Sequence, residues 1–255
     1  MNLKKISQKR WKLAQKSEEE FWKKYTSKSL PHEKYSKKAK ILLRKLGEFI
    51  DINKNTKVLQ IGCGPLDLIN YFGDMKKYSL DPLADFYKER FDVDYKDTNL
   101  VKGMGENLPY EDKSFDIVLL PNVLDHTTNP EKVLSEIKRV LKDKGIFYFD
   151  VYFYQKNFLR LASIWRFFNK ILRKKIFNPT HPYMFTLKEV KELISSRFYF
   201  LFEEVGRDIG EYENIYELKL RRKNQKITKR FPASIGLLGE INYTAICKIK
   251  PTLNL

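Results

Sequence analysis

The sequence predicts an α/β fold: seven strands in a mostly parallel sheet, with helices on both faces. Three observations predict it. From residue 57 to residue 152, short apolar runs alternate with helical segments, and such alternation builds a parallel sheet covered on both sides. The first run, Lys57–Ile61, breaks at Gly62-Cys63-Gly64, so a strand enters a tight glycine turn where backbone can touch a ligand. A carboxylate, Asp81, closes the second run. It follows the turn by about twenty residues, a spacing at which an acid meets both hydroxyls of a ribose.

The elements follow in order. Residues 1–50 form an N-terminal helical extension. Its first part, 1–30, is polar with large anchors such as Trp11, Phe21 and Trp22, and Leu30-Pro31-His32 breaks it. A second helix over 35–50 sets Ala39, Leu42, Leu46 and Phe49 on one face. The rest, 51–255, reads as one domain. Strands are expected at 57–61, 77–80, 100–102, 115–120 and 145–152. A helix is expected to start straight after the glycine turn, over 66–72. Another should run over 82–90, with Pro82 at its first position and Asp81 as its cap. A third should cover 131–141. A basic amphipathic insert spans 153–180. Thr186 and Glu189 form a capping box for a helix over 185–194. Strands at 198–205 and 243–250 close the chain, separated by a basic insertion, 207–240.

Composition narrows the class. With 255 residues, 42% of them hydrophobic, the chain is long and apolar enough to build a large core. No apolar run reaches the length of a membrane span, and the start lacks the apolar centre of a signal peptide. Two cysteines, Cys63 and Cys247, make no ligand pattern. His32, His126 and His181 stand too far apart in sequence to give a zinc site by spacing, so no metal is expected. A reduced, cytoplasmic setting follows.

The net charge of +17 points to an anionic partner or to a lysine-rich source. No acidic residue lies between Asp150 and Glu189, and over 155–177 lysines and arginines face away from Trp165, Phe168 and their apolar neighbours. That pattern fits a helix docked on an anionic membrane, at its inner face, and equally a lid helix packed on the sheet with solvated lysines.

The ordered series Gly62-Cys63-Gly64, Asp81, Glu106-Asn-Leu-Pro, Ser114-Phe-Asp116 and Glu136-Ile-Lys-Arg-Val-Leu-Lys-Asp-Lys-Gly145 resembles the class I S-adenosylmethionine-dependent methyltransferases, specifically the type 11 methyltransferase-domain group. The likeness covers 57–152 and implies a Rossmann-like domain whose last strand runs antiparallel, with S-adenosyl-L-methionine as cofactor. By resemblance Gln60, Gly62, Cys63 and Gly64 line the methionine part of the cofactor. Asp81, followed by Pro82, holds the ribose. Met104, Gly105 and Glu106 flank the adenine, and Asn122 borders the same crevice. Three positions depart from the family. Gln60 stands where an acid is usual, Leu66 replaces a third glycine, and Met104 replaces an acid near the adenine amino group.

The fourth strand leads into Pro121-Asn122-Val-Leu-Asp125-His126. In an open parallel sheet that end faces the ligand crevice. Imidazole accepts protons near neutral pH, so His126 is the candidate base and Asp125 its orienting partner; both also fit a mere turn. His181-x-x-x-Phe185-Thr186 is similar to a passage in relatives that methylate sugars or small metabolites, which implies that His181 or Tyr183 contacts the acceptor. Three functions stay open: methyl transfer to a small-molecule or glycan acceptor, lipid-linked or not; RNA methylation, with the basic extensions holding phosphates; and a catalytically silent binding module.

Overall fold

The computed structural model describes residues 5–92, 97–156, 158–160, 181–206 and 241–251. Most of the basic segment 155–177 and all of the insertion 207–240 lie outside the described residues.

Seven strands form one sheet in the order β3-β2-β1-β4-β5-β7-β6. β1 (Lys57–Ile61) sits between β2 (Lys76–Asp81) and β4 (Phe115–Pro121), and β3 (Thr98–Lys102) and β5 (Leu141–Phe153) extend the parallel part. β7 (Ile241–Ile249) runs antiparallel to both β5 and β6 (Phe198–Val205). The expected fold, including its reversed last strand, is therefore the observed one.

Alternation along β4 shows why both faces are covered, since successive strand residues point to opposite sides. Ile117 and Leu119 pack with Ala39, Leu42 and Leu46 of α2 (His32–Leu46). Val118 and Leu120 pack with Val133, Leu134 and Ile137 of α4 (Pro130–Val140) and with Val190 and Ile194 of α5 (Leu187–Ser195). The caps follow the sequence. The Asn129 side chain accepts the Lys132 N–H ahead of Pro130 at the start of α4, and Thr186 and Glu189 make the expected reciprocal box at α5.

Two expected helices differ. Residues 66–72 yield only a 3₁₀ turn, Leu68–Tyr71, because Asp67 accepts the Ile69 N–H at 3.2 Å and also takes the buried Ser79 hydroxyl. That side chain competes locally with a continuing helix. α3 covers Ala84–Arg90 and starts after Pro82, because Asp81 accepts the Leu83 N–H at 2.8 Å and turns the chain first. β5 is longer than expected and begins directly where α4 ends, with Leu141 paired to Phe115.

The N-terminal helix α1 (Gln8–Trp22) is capped by Ser7 and ends earlier than residue 30. Leu66, the residue in place of a third glycine, is buried with Leu30, Tyr87 and Phe91, and Trp22 and Tyr25 pack on this group. It seats the N-terminal segment beside α3. Among the described residues, no helix is long and apolar enough to cross a membrane.

Candidate active site

A cavity of about 450 Å³ opens beyond the carboxyl ends of β1, β2 and β4, where open parallel sheets hold their ligands. Its volume is that of a small-molecule site. α1 covers one side with Trp11, Gln15, Glu18, Phe21 and Trp22, while α2 adds Lys34, Tyr35 and Lys38. Arg10 Nη2 donates to the His181 carbonyl at 3.2 Å, and the Ile6 N–H donates to the Thr128 carbonyl at 3.3 Å, so the N-terminal segment is tied to the loops it covers. The sequence showed these aromatic anchors without showing what they wall, since only packing brings α1 over the strand ends.

One half of the cavity is built from the glycine turn. Gly62 and Gly64 both have positive φ, +70° and +61°. A Cβ on Gly62 would lie 2.2 Å from Val123 Cγ2, whereas one on Gly64 would meet nothing within 4 Å. The first glycine thus permits close packing, and the second leaves open room. Asp81 is 5% exposed, and its two oxygens accept the Gly64 N–H at 3.0 Å and the Leu83 N–H at 2.8 Å. Burial pushes its carboxyl up to about 6, against the lowering effect of those two N–H groups. Gln60 Oε1 and Asn122 Oδ1 are buried with no hydrogen-bond partner among the described residues, and both residues line the cavity. Asn122 also holds a left-handed φ of 53°, which Asn tolerates better than most residues. Burial raises the Cys63 thiol well above its usual range, which disfavours the thiolate a nucleophile needs.

The loop 104–108 is braced from behind. Glu106 Oε1 accepts the Thr128 N–H, the Thr128 hydroxyl and the Asn129 N–H at 2.5, 2.7 and 3.1 Å. Glu136 accepts the Leu108 N–H at 2.9 Å, and Arg139 donates to the Leu108 and Tyr110 carbonyls. The Arg139 hydrogen bond holds the Glu136 carboxyl below its usual range. Glu106, Glu136 and Arg139 of the motif series therefore fix the loop's position. Met104, Gly105 and Glu106 line the cavity together with Pro82, and Leu66 does not.

The three expected acceptor-side residues meet one another. Asp125 is 1% exposed. Its Oδ2 accepts from His181 Nδ1 at 2.5 Å, and its Oδ1 lies 3.8 Å from His126 Nε2. The two imidazole rings are tilted against each other with centroids 4.4 Å apart. His126 Nδ1 faces Glu18 Oε2 at 4.0 Å. His126 and His181 line the cavity. Tyr183 does not join them. Its hydroxyl donates to the Thr128 carbonyl at 2.9 Å and its N–H to the Asp125 carbonyl at 3.2 Å, so it pins the His181 loop to the strand-end turn. His32 is elsewhere, against Tyr71 and Ser27.

Residues 59–149 match the family described as "Methyltransferase domain". Over this stretch the chain resembles a methyltransferase domain. A sterol 24-C-methyltransferase of Candida albicans is 33% identical over 111 residues, which cover 40% of this chain and 29% of that protein. An uncharacterized protein of Methanocaldococcus jannaschii is 38% identical over 92 residues, 36% of this chain and 39% of the other. The chain thus matches well under half the length of these curated relatives. Among solved structures, a protein of Pyrococcus horikoshii superposes with a TM-score of 0.53 at 18% identity, covering 91% of this chain and 99% of that one, which shows a shared fold.

S-adenosylmethionine is the cofactor this domain implies, and the residues fit it. Gly64 leaves space for a ligand against backbone, Asp81 is a fixed acceptor at the end of β2, and the partnerless amide oxygen of Gln60 can accept from an ammonium group.

Proposed function

We propose that the protein transfers a methyl group from S-adenosylmethionine to a nucleophilic heteroatom of a small molecule with an apolar body. The reading rests on one observation: Gly64, Asp81, His126 and His181 line a single cavity that α1 covers with aromatic side chains. A helix-covered pocket suits a small acceptor better than a polymer. The sterol in the name of the Candida relative is consistent with an apolar acceptor, although that name puts its methyl group on carbon.

Bound S-adenosylmethionine supplies a methyl carbon on a positively charged sulfur. Gln60, Gly62, Gly64, Asp81 and Asn122 would hold that cofactor, with Met104 and Gly105 against its base. Trp11, Phe21, Trp22 and Tyr35 exclude water and hold the acceptor in line, which is where most of the rate gain in such a displacement arises. The cluster at Asp125 receives the reacting end of the acceptor and handles its proton. Those side chains would take up or pass on the proton that the acceptor gives up when it accepts the methyl group. Met104 and Gln60 alter how the cofactor is gripped, and Leu66, packed away from the cavity, does not oppose binding.

A lipid-borne acceptor would bring the basic segment 155–177 to an anionic membrane, and Trp165→Glu should then reduce liposome flotation. The deciding experiment follows labelled methyl from S-adenosylmethionine into panels of hydroxyl-bearing, thiol, amine, glycan and lipid-linked compounds, with RNA alongside. Transfer to a small molecule supports the reading. Transfer to RNA alone, or no binding of S-adenosylhomocysteine, overturns it.

A further inference from the structure

We infer that Asp125, His126 and His181 form a site for one divalent transition-metal cation at the acceptor end of the cavity. The inference rests on the reading that this end receives the acceptor, and it adds how the acceptor is held there.

Geometry carries it. One ligand atom from each of the three side chains can be chosen so that all three lie within 4.8 Å of one another. Donors bound to one zinc-like ion at about 2.0–2.1 Å stand roughly 3–4 Å apart. The Asp125 Oδ1–His126 Nε2 separation of 3.8 Å already meets this. The His181 Nδ1–Asp125 Oδ2 pair, at 2.5 Å, needs to open by about an ångström.

Three further features point to an ion rather than to a polar cluster complete in itself. Asp125 is almost wholly buried, yet its Oδ1 has no hydrogen-bond partner among the described residues. A buried carboxylate oxygen without a donor is costly, and a cation supplies what it lacks. Two imidazoles and one carboxylate are a donor set for zinc, manganese or iron(II), with positions left for another ligand. His126 turns Nε2 towards Asp125 and Nδ1 towards Glu18 at 4.0 Å. Carboxylates commonly face the outer nitrogen of a metal-binding histidine in this way.

A cation there would bind the acceptor's oxygen or sulfur directly. It would lower the pKa of that group and let its proton pass to solvent. His126 and His181 then serve as ligands, and neither ring has to act as the base. Glu18 belongs to α1, so the helix that covers the cavity also supplies this outer carboxylate.

The test uses the full chain, stripped of metal by chelator and desalted. Zinc and manganese are titrated calorimetrically, with magnesium as a hard-ion control, and S-adenosylhomocysteine is titrated separately. One zinc or manganese ion per chain is expected in wild type. Affinity should fall by about 100-fold or more in Asp125→Asn, His126→Gln and His181→Gln, while S-adenosylhomocysteine affinity stays within about threefold and reports intact folding. X-ray absorption on the zinc-loaded wild-type protein needs no variant and should show two imidazoles with oxygen neighbours. No stoichiometric ion, binding that survives all three substitutions, or sulfur in the coordination shell would each overturn the site. Metal binding without S-adenosylhomocysteine binding would instead overturn the function proposed above and leave the metal site standing.

Discussion

His181 Nδ1 lies 2.5 Å from Asp125 Oδ2, joining positions 56 apart in the chain beside the cavity that His181 lines. Asp125 reaches that place from the turn after β4, and His181 from the loop before α5. Two segments far apart in sequence therefore converge here.

Substituting either partner should separate chemistry from cofactor binding. Asp125→Asn and His181→Gln are expected to lower kcat by about 10²–10³-fold, the range for losing a group that handles a proton or positions one. S-adenosylhomocysteine affinity should hardly change, because Asp81 is held by the Gly64 and Leu83 N–H groups and not by these side chains. A matching loss of cofactor affinity, measured by calorimetry, would remove the two residues from the acceptor side.

Much of this architecture was legible in the sequence, and the reason is periodicity. The bounds of β1 are readable because Lys57–Ile61 is a short apolar run ending at Gly62. The capping box at Thr186 and Glu189 is local chemistry and was equally readable. The helix expected at 66–72 was not there, because Asp67 bonds to Ser79, a partner on β2 that the local sequence does not reveal. The sequence pairs Asp125 with His126 and singles out His181 apart from them; that His181 meets the pair depends on Tyr183 pinning one loop to the other. The part played by Glu18 and Trp22 was hidden for the same reason, since α1 reaches the cavity only through long-range packing.

Cofactor affinity should depend on pH through Asp81. Burial raises its carboxyl to about 6, above its ordinary value of 3.8. The ionised form accepts hydrogen bonds on both oxygens, whereas the protonated form gives up part of that capacity. S-adenosylhomocysteine should therefore bind with constant affinity above about pH 7 and progressively more weakly below 6, by up to about tenfold per pH unit. Asp81→Asn should bind more weakly throughout and lose the slope. A wild-type affinity that is flat between pH 5 and 8 would take Asp81 out of the contact.

The two cavity glycines should respond differently to alanine. At Gly62 the new methyl group meets Val123 Cγ2 at 2.2 Å on a backbone of φ +70°. Strain and overpacking together predict a loss of about 2–4 kcal/mol. Adding Val123→Ala should restore part of it, leaving the backbone cost of about 1–2 kcal/mol. Gly64→Ala carries only that backbone cost, because its Cβ meets open space, yet it should weaken cofactor binding by filling the cradle. Denaturant unfolding and calorimetry separate the two effects; equal destabilisation by both substitutions would contradict the packing at Val123.

Asp67 predicts a pH-dependent stability that is distinct from the active site. It is fully buried, and desolvation raises its carboxyl to about 7 in spite of the hydrogen bonds from Ser79 and Ile69. The unfolded chain ionises this group near 3.9. Between those values the folded protein binds more protons than the unfolded one, so stability falls as pH rises from about 4 to 7 and stays reduced above it. Asn in place of Asp67 can accept from the Ile69 N–H through its oxygen and donate to Ser79 through its amide, with no charge to desolvate. Asp67→Asn should thus remove this part of the decline and leave the variant more stable than wild type at pH 8, by on the order of 2 kcal/mol. Thermal unfolding at pH 5, 6.5 and 8 measures it. Parallel wild-type and variant curves would mean that Asp67 stays ionised in the core, held by its Ser79 and Ile69 donors, and that the turn beneath the glycine cradle is braced by a charge.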